Sequence, residues 1–324
     1  TTSIQQNFFT KLMKDDKIEY LNHLNRSDEF LGEIYCGNII SSITSQNYDK
    51  AQLENEIINI QRIKKKIAVI SNENISFFSK NFNWAYQNGQ AINNVKRIYE
   101  VFDGIFDVIE ILIGIRAQKT LIPSFYKQQY YLIINENPSF KNYNKWLDAN
   151  FGRHINEENL FLNYEQIFRE YSNIFGRENV YLLVFEDLKN DVNSYVNTLS
   201  KVLEVDEKIV KNLLSHMPKN VTKTDKRGNI LSSKPKIGQL LTLPFKNRVK
   251  NYLSKKQFEK VKEVYKMILP ESIRKIEIPT SKKLNVILLE NIDEVVQRFY
   301  DSNVNLMKVA NLDEKKMIKY GYYE

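Results

Sequence analysis

A single cysteine, Cys36, stands in the whole chain. No intramolecular disulfide can therefore staple the fold, and a reducing, cytoplasmic setting is the simplest one. Glycine and proline are also scarce, 10 and 7 among 324 residues, which leaves no composition for long flexible or proline-rich linkers. No apolar run approaches the ~20 residues that cross a bilayer; the strongest, "IEILIGI" at 109–115, is far shorter. No secretory signal is visible, although a start at Thr1-Thr2-Ser3 without a methionine weakens that absence.

What is there is typical of a folded chain: 27% charged and 42% hydrophobic residues, enough for one large α/β domain or two small ones. Lys and Arg number 47 against 39 Asp and Glu, a net charge of +8. A surplus of this size suits phosphate, nucleic acid or an acidic polymer. The bias of an AT-rich genome toward Lys, Asn and Ile accounts for it equally well.

Three compact apolar runs, "KIAVIS" (66–71), "VIEILIGIR" (108–116) and "NVYLLVF" (179–185), read as buried strands, and "KIEYL" (17–21) as a shorter one. Helical periodicity covers 4–14, 49–65, 86–102, about 121–134, about 158–175, 192–203, 254–268 and 289–309. Buried-type strands each followed by a helix predict an α/β fold, a parallel central sheet with helices on both faces. The chain reads as a single domain over 1–324. A polar, basic, turn-rich loop region at 216–250 interrupts it, and a mostly helical C-terminal part follows at 251–324. No internal repeat is present.

Ligands of such sheets bind beyond the carboxyl ends of the strands, which directs attention to Ser71–Glu73, Arg116, and Glu186 with Asp187. Arg116 ends a strand, and Ser124, eight positions on, is expected in the first turn of the next helix. A guanidinium fork with a hydroxyl and amides at a helix N-terminus makes a phosphate site; a surface arginine and an ordinary cap is the alternative. Thr1, Thr2 and Ser3 at a helix start fit the second half of a phosphate loop, or a plain cap. Glu186 and Asp187 suit acid/base work, or an acidic cap on the helix from Val192.

Together these stretches resemble the sulfotransferase family, P-loop-like in fold, and most closely its bacterial glycan-type members. The strand-end Arg116 with Ser124 and Tyr126 matches the family's 3′-phosphate register, in an Arg116-Ala117-Gln118 form. "FGRENVYLLVFEDLKND" (175–191) resembles its later strand and acidic turn, and "RFYDSNVNLMK…YGYY" its bacterial tails. The resemblance implies a nucleotide co-substrate, 3′-phosphoadenosine 5′-phosphosulfate, with no metal, a glycan acceptor and no nucleic-acid partner. It places Thr1, Thr2 and Ser3 on the donor's 5′ end and Arg116 and Ser124 on its 3′-phosphate. Lys226-Arg227-Gly228 stands nearest to the family's late Arg-Lys-Gly element, with the basic pair reversed.

Sulfuryl transfer also needs a base for the acceptor proton. Glu73, after the strand at 66–71, is the first candidate, and His23, after "KIEYL", the second. Two rivals remain at this point: a nucleotide-dependent kinase, whose full Gly-x-x-x-x-Gly-Lys-Ser/Thr loop is not in the chain, and a catalytically inactive basic binding module. The resemblance further implies that about 10–15 residues precede Thr1, by ordinary strand and loop lengths, forming a first strand and the start of the phosphate loop.

Overall fold

The computed structural model describes residues 12, 17–21, 37–45, 48–63, 66–70, 91–151, 162–215 and 292–323. In chain order its elements are β1 (Ile18–Tyr20), α1 (Gly37–Ile43), α2 (Glu54–Gln61), β2 (Ile67–Val69), α3 (Ala91–Phe102), β3 (Ile111–Ile115) and α4 (Gln118–Glu136). They continue with α5 (Tyr143–Phe151), α6 (Tyr164–Phe175), β4 (Val180–Val184), α7 (Asp187–Asn190), α8 (Val192–Leu203), α9 (Glu207–Ser215), α10 (Ile292–Gln297), α11 (Tyr300–Ala310) and α12 (Glu314–Tyr320). By contact the chain divides into two compact units. The first holds 1–123, 144–220 and 289–324; the second holds 124–143 and 221–288.

All the described strand pairing in the first unit is parallel. β1 runs beside β2 with Ile18 opposite Ile67, and β3 beside β4 with Ile111 opposite Val180 and Ile115 opposite Val184. The described strands thus form two pairs. Because side chains alternate across a strand, each pair has two faces, and both are covered with apolar side chains. Leu21, Ala68, Ile70, Ile111, Ile113, Ile115, Val180, Leu182 and Val184 join one core, with α1, α3 and α6. Ile18, Ile67, Val69, Leu112 and Leu183 join the other, with Tyr195, Val196 and Leu199 of α8 and Val210 of α9. This double burial is why the strands read as continuous apolar runs. The result fits the expected α/β class, with helices packed on both apolar faces, while the described strands make two parallel pairs rather than one central sheet.

Local chemistry sets the helix ends. The Asn163 side chain accepts the Gln166 N–H and caps α6, which stops at Gly176, where φ is +86°. Asp191 caps α8 by accepting the Ser194 N–H. The cap expected of Glu186 and Asp187 is thus supplied by Asp191. The helix expected over 289–309 is two, α10 and α11. The amides of Arg298 and Phe299 bond to the carbonyls three residues back, tightening the chain while Phe299 is buried. The helices read at 4–14, apart from Leu12, and at 254–268 lie outside the described residues.

Among the described residues of the second unit, Tyr126 packs edge-on to Tyr130 and Tyr143, at 5.6 and 5.0 Å between ring centroids. Its hydroxyl donates to the Phe140 and Lys141 carbonyls within the 3-10 turn Pro138–Lys141, which the Asn137 side chain caps.

Candidate donor site at the ends of β3 and β4

β3 ends at Ile115 and α4 begins at Gln118, so Arg116 and Ala117 form a two-residue turn at the carboxyl edge of the strands. Two side chains hold the backbone of this turn, and a third braces one of them. The Tyr164 hydroxyl donates to the Arg116 carbonyl at 2.6 Å, and the Arg116 N–H approaches the Tyr164 hydroxyl oxygen at 3.4 Å. Glu186, just after β4, accepts the Ala117 N–H on Oε1 at 3.1 Å. Its Oε2 accepts the Tyr322 hydroxyl, also at 3.1 Å. Burial first, then the Glu186 charge, pushes the Tyr322 phenol well above its ordinary value, so it remains a donor at neutral pH.

Gln118 is fully buried and answers a buried asparagine far along the chain. Its Nε2 donates to Asn303 Oδ1 at 3.1 Å and to the Leu162 carbonyl at 2.9 Å. Asn303 Nδ2 donates back to Gln118 Oε1 at 3.0 Å and to the Tyr322 carbonyl at 2.6 Å. All four amide protons of the pair are thereby used, as burial in a low-dielectric interior demands.

The Arg116 guanidinium is half-buried above this frame. Its Nε donates to Thr120 Oγ1 at 3.0 Å, and its Cζ lies 4.7 Å from the centroid of the Phe185 ring. Burial draws its pKa down, while the Glu186 carboxylate, and less strongly Tyr164 and Tyr322, draw it up. A planar, charged fork seated on an aromatic ring at a strand end fits a phosphate or sulfate oxyanion.

Two expectations change here. Ser124 is the seventh residue of α4, past its first turn, and it opens the second unit, whereas Arg116 lies in the first. The cause is that the helix starts before Pro123. The Ala117 carbonyl already accepts the Thr120 and Leu121 amides, so α4 begins at Gln118, ahead of the helix expected from about 121, and Pro123 is interior to it. The hydroxyl on Arg116 is that of Thr120, one helical turn nearer the strand. Secondly, the Ala117 N–H just ahead of α4 is taken by Glu186, so it is not one of the open amides expected at a helix N-terminus.

Asp187, the other half of the acidic pair, is buried and engaged. It accepts the Tyr320 hydroxyl on Oδ1 at 2.9 Å and Lys316 Nζ on Oδ2 at 2.9 Å. Lys316 also reaches Asp191 at 3.0 Å and Ser194 Oγ at 3.2 Å. Both acids therefore tie β4 to the C-terminal segment. Thr1, Thr2, Ser3, His23, Glu73, Lys226, Arg227 and Gly228 lie outside the described residues. Of the side chains around the turn, Tyr164 and Thr120 are not singled out in the sequence and Asn303 only as part of the tail stretch; the Gln118–Asn303 pair spans 185 positions and is set by tertiary packing.

The parallel strands, the covered faces and a seated arginine at the strand ends define an α/β protein with a strand-end site suited to an oxyanion. A family model described as the sulfotransferase domain matches residues 106–284, more than half of the chain, and the chain belongs to that family. No curated protein and no solved structure matches it. The matched segment contains Arg116, Gln118, Tyr164 and Glu186, while Asn303 and Tyr322 lie beyond it.

Proposed function

We propose that the protein transfers a sulfuryl group from 3′-phosphoadenosine 5′-phosphosulfate to a hydroxyl or amine of a carbohydrate acceptor, as a bacterial glycan-type enzyme acting in the cytoplasm. The observation that carries this reading is Arg116: a half-buried guanidinium at the carboxyl end of β3, inside the segment that matches the family. In this reading the two strand pairs belong to one P-loop-like central sheet, since they share both apolar cores, and residues 1–324 work as a single domain.

Arg116 holds the 3′-phosphate by its fork, with Thr120 fixing the Nε side so that the plane cannot swing. Ser124 keeps a place in the reading as a further hydroxyl on α4. Thr1, Thr2 and Ser3 face the 5′-phosphosulfate, and Lys226-Arg227-Gly228 closes over the 3′-phosphate. The acceptor oxygen or nitrogen forms its bond to sulfur in line with the bond that breaks to the 5′-phosphate oxygen, which leaves with the electron pair. The acceptor's proton passes to Glu73, with His23 as the second choice of base. Cations around the leaving phosphate supply the electrostatic stabilisation, and no metal takes part.

Incubation of the protein with radiolabelled sulfuryl donor and a panel of glycans tests the reading. Label transferred to a glycan, and lost in Arg116→Ala, is the expected result. No transfer to any hydroxyl- or amine-bearing glycan overturns the acceptor class. Binding of donor product that is indifferent to Arg116 overturns the site.

A further inference from the structure

We infer that the C-terminal segment is a working part of the donor site: Tyr322, through Glu186, and Asn303, through Gln118, are positioning residues that set the Arg116-Ala117-Gln118 turn. This rests on the reading of Arg116 as the donor-phosphate ligand. The turn has little of its own to hold it. It is two residues long, lies between a strand and a helix, and carries a charged side chain that must present one face of its fork. It is instead held by three anchors, two on its backbone and one on the Gln118 side chain that follows it. Tyr164 takes the Arg116 carbonyl. Glu186 takes the Ala117 amide. The Gln118 side chain is locked to Asn303.

Two of those three anchors lead to Tyr322. Its hydroxyl occupies the second oxygen of Glu186, and its carbonyl accepts from Asn303. Glu186 has three rotatable bonds up to and including the one that turns its carboxylate, so a hydrogen bond on Oε2 limits the directions in which Oε1 can meet the Ala117 amide. The residue itself is delivered by local backbone chemistry. α12 ends at Tyr320, and Gly321 adopts φ +80°, a region costly for any residue with a Cβ. The Gly321 and Tyr322 amides then bond back to the Ile318 and Met317 carbonyls in the manner of a Schellman turn. The turn points Tyr322 inward, where it is fully buried. The Gln of the Arg-Ala-Gln stretch thus has a purpose: it is the side chain that reads Asn303.

A double-mutant cycle on binding of 3′-phosphoadenosine 5′-phosphate, measured by calorimetry on the full chain, separates positioning from general stability. The variants are Tyr322→Phe, Arg116→Ala and the pair of them, with thermal melts of each. Tyr322→Phe keeps the ring and loses only the hydroxyl. It should weaken binding about fivefold when Arg116 is present, the value of one lost hydrogen bond, and cause no further loss when Arg116 is absent. Equal losses in both backgrounds, or none in either, overturn the proposal while leaving the donor site standing. No binding by the wild type, or unchanged binding in Arg116→Ala, overturns the donor-site reading and this proposal with it. Should Tyr322→Phe not fold, the same cycle run with Glu186→Gln decides, because the amide replaces an acceptor on the same path. Coupling to Arg116 again supports positioning, and additivity overturns it.

Discussion

At the scale of single residues, the account turns on how one arginine is seated. Lysine in place of Arg116 keeps the charge but loses the planar fork and the stacking on Phe185. A charge-assisted hydrogen bond contributes about 1.5–3 kcal/mol, so Arg116→Lys should weaken binding of 3′-phosphoadenosine 5′-phosphate by about tenfold or more. Thr120→Val, which frees only the Nε side, should weaken it by less. Calorimetry checks the order of the two, and an equal or larger effect at Thr120 would show that the fork is not what is recognised. Arg116 was legible in the sequence because an apolar run ending in arginine marks a strand end. Thr120 was not, because the sequence predicts the helix only from about 121, which leaves Thr120 outside it and puts Ser124 in its first turn, whereas α4 begins at Gln118.

The ion pairs of Lys316 belong to the same scale. The hydrogen bond from Lys316, then the Ser194 amide, holds Asp191 below its ordinary 3.8. A carboxylate depressed in the folded state contributes stability above its unfolded value and loses it as pH falls through the lowered one. Burial pulls Lys316 down, but its bonds to Asp187 and Asp191 outweigh that and raise it above 10.5. Its contribution is present below the unfolded value and is lost as pH rises through the raised one. Asp191→Asn should therefore flatten the acid side of the stability profile below about pH 4, with little change near neutrality beyond a constant offset. Thermal melts across that range test it, and an unchanged acid slope would contradict the assignment.

At the scale of elements, the strands were readable and their ties were not. The four runs became β1 to β4 because strands covered on both faces are largely apolar, Glu19 of β1 being a buried exception, and that pattern is local. The clamp between α4, α6 and the C-terminal helices is built from Gln118, Tyr164, Asn303 and Tyr322, four ordinary residues whose meaning lies in distant partners. Breaking the buried amide pair from one side should show it. Gln118→Ala leaves the Asn303 groups unsatisfied and should cost about 1–3 kcal/mol, whereas the apolar double change Gln118→Leu with Asn303→Leu should cost less than the sum of its parts. Denaturant unfolding measures both, and strict additivity would mean the two amides do not act as a pair. Gly321→Ala should destabilise by about 1–2 kcal/mol from the φ alone, and Gly321→Asn by less, since Asn tolerates that region.

At the scale of the whole molecule, the match to the sulfotransferase domain family spans the strand-end arginine itself, so family and site point the same way. The family match covers the strands that present Arg116. The C-terminal helices, outside it, supply the side chains that steady the turn. The acceptor was not legible in the sequence, because its recognition depends on side chains brought together by loops rather than on any periodic pattern.

The most direct test is a crystal structure of the protein with 3′-phosphoadenosine 5′-phosphate. The account predicts the 3′-phosphate within hydrogen-bond distance of the Arg116 guanidinium, with the Glu186–Tyr322 and Gln118–Asn303 bonds intact beneath it. The nucleotide seated elsewhere, with Arg116 still lying on Thr120 and Phe185 and making no phosphate contact, would contradict it.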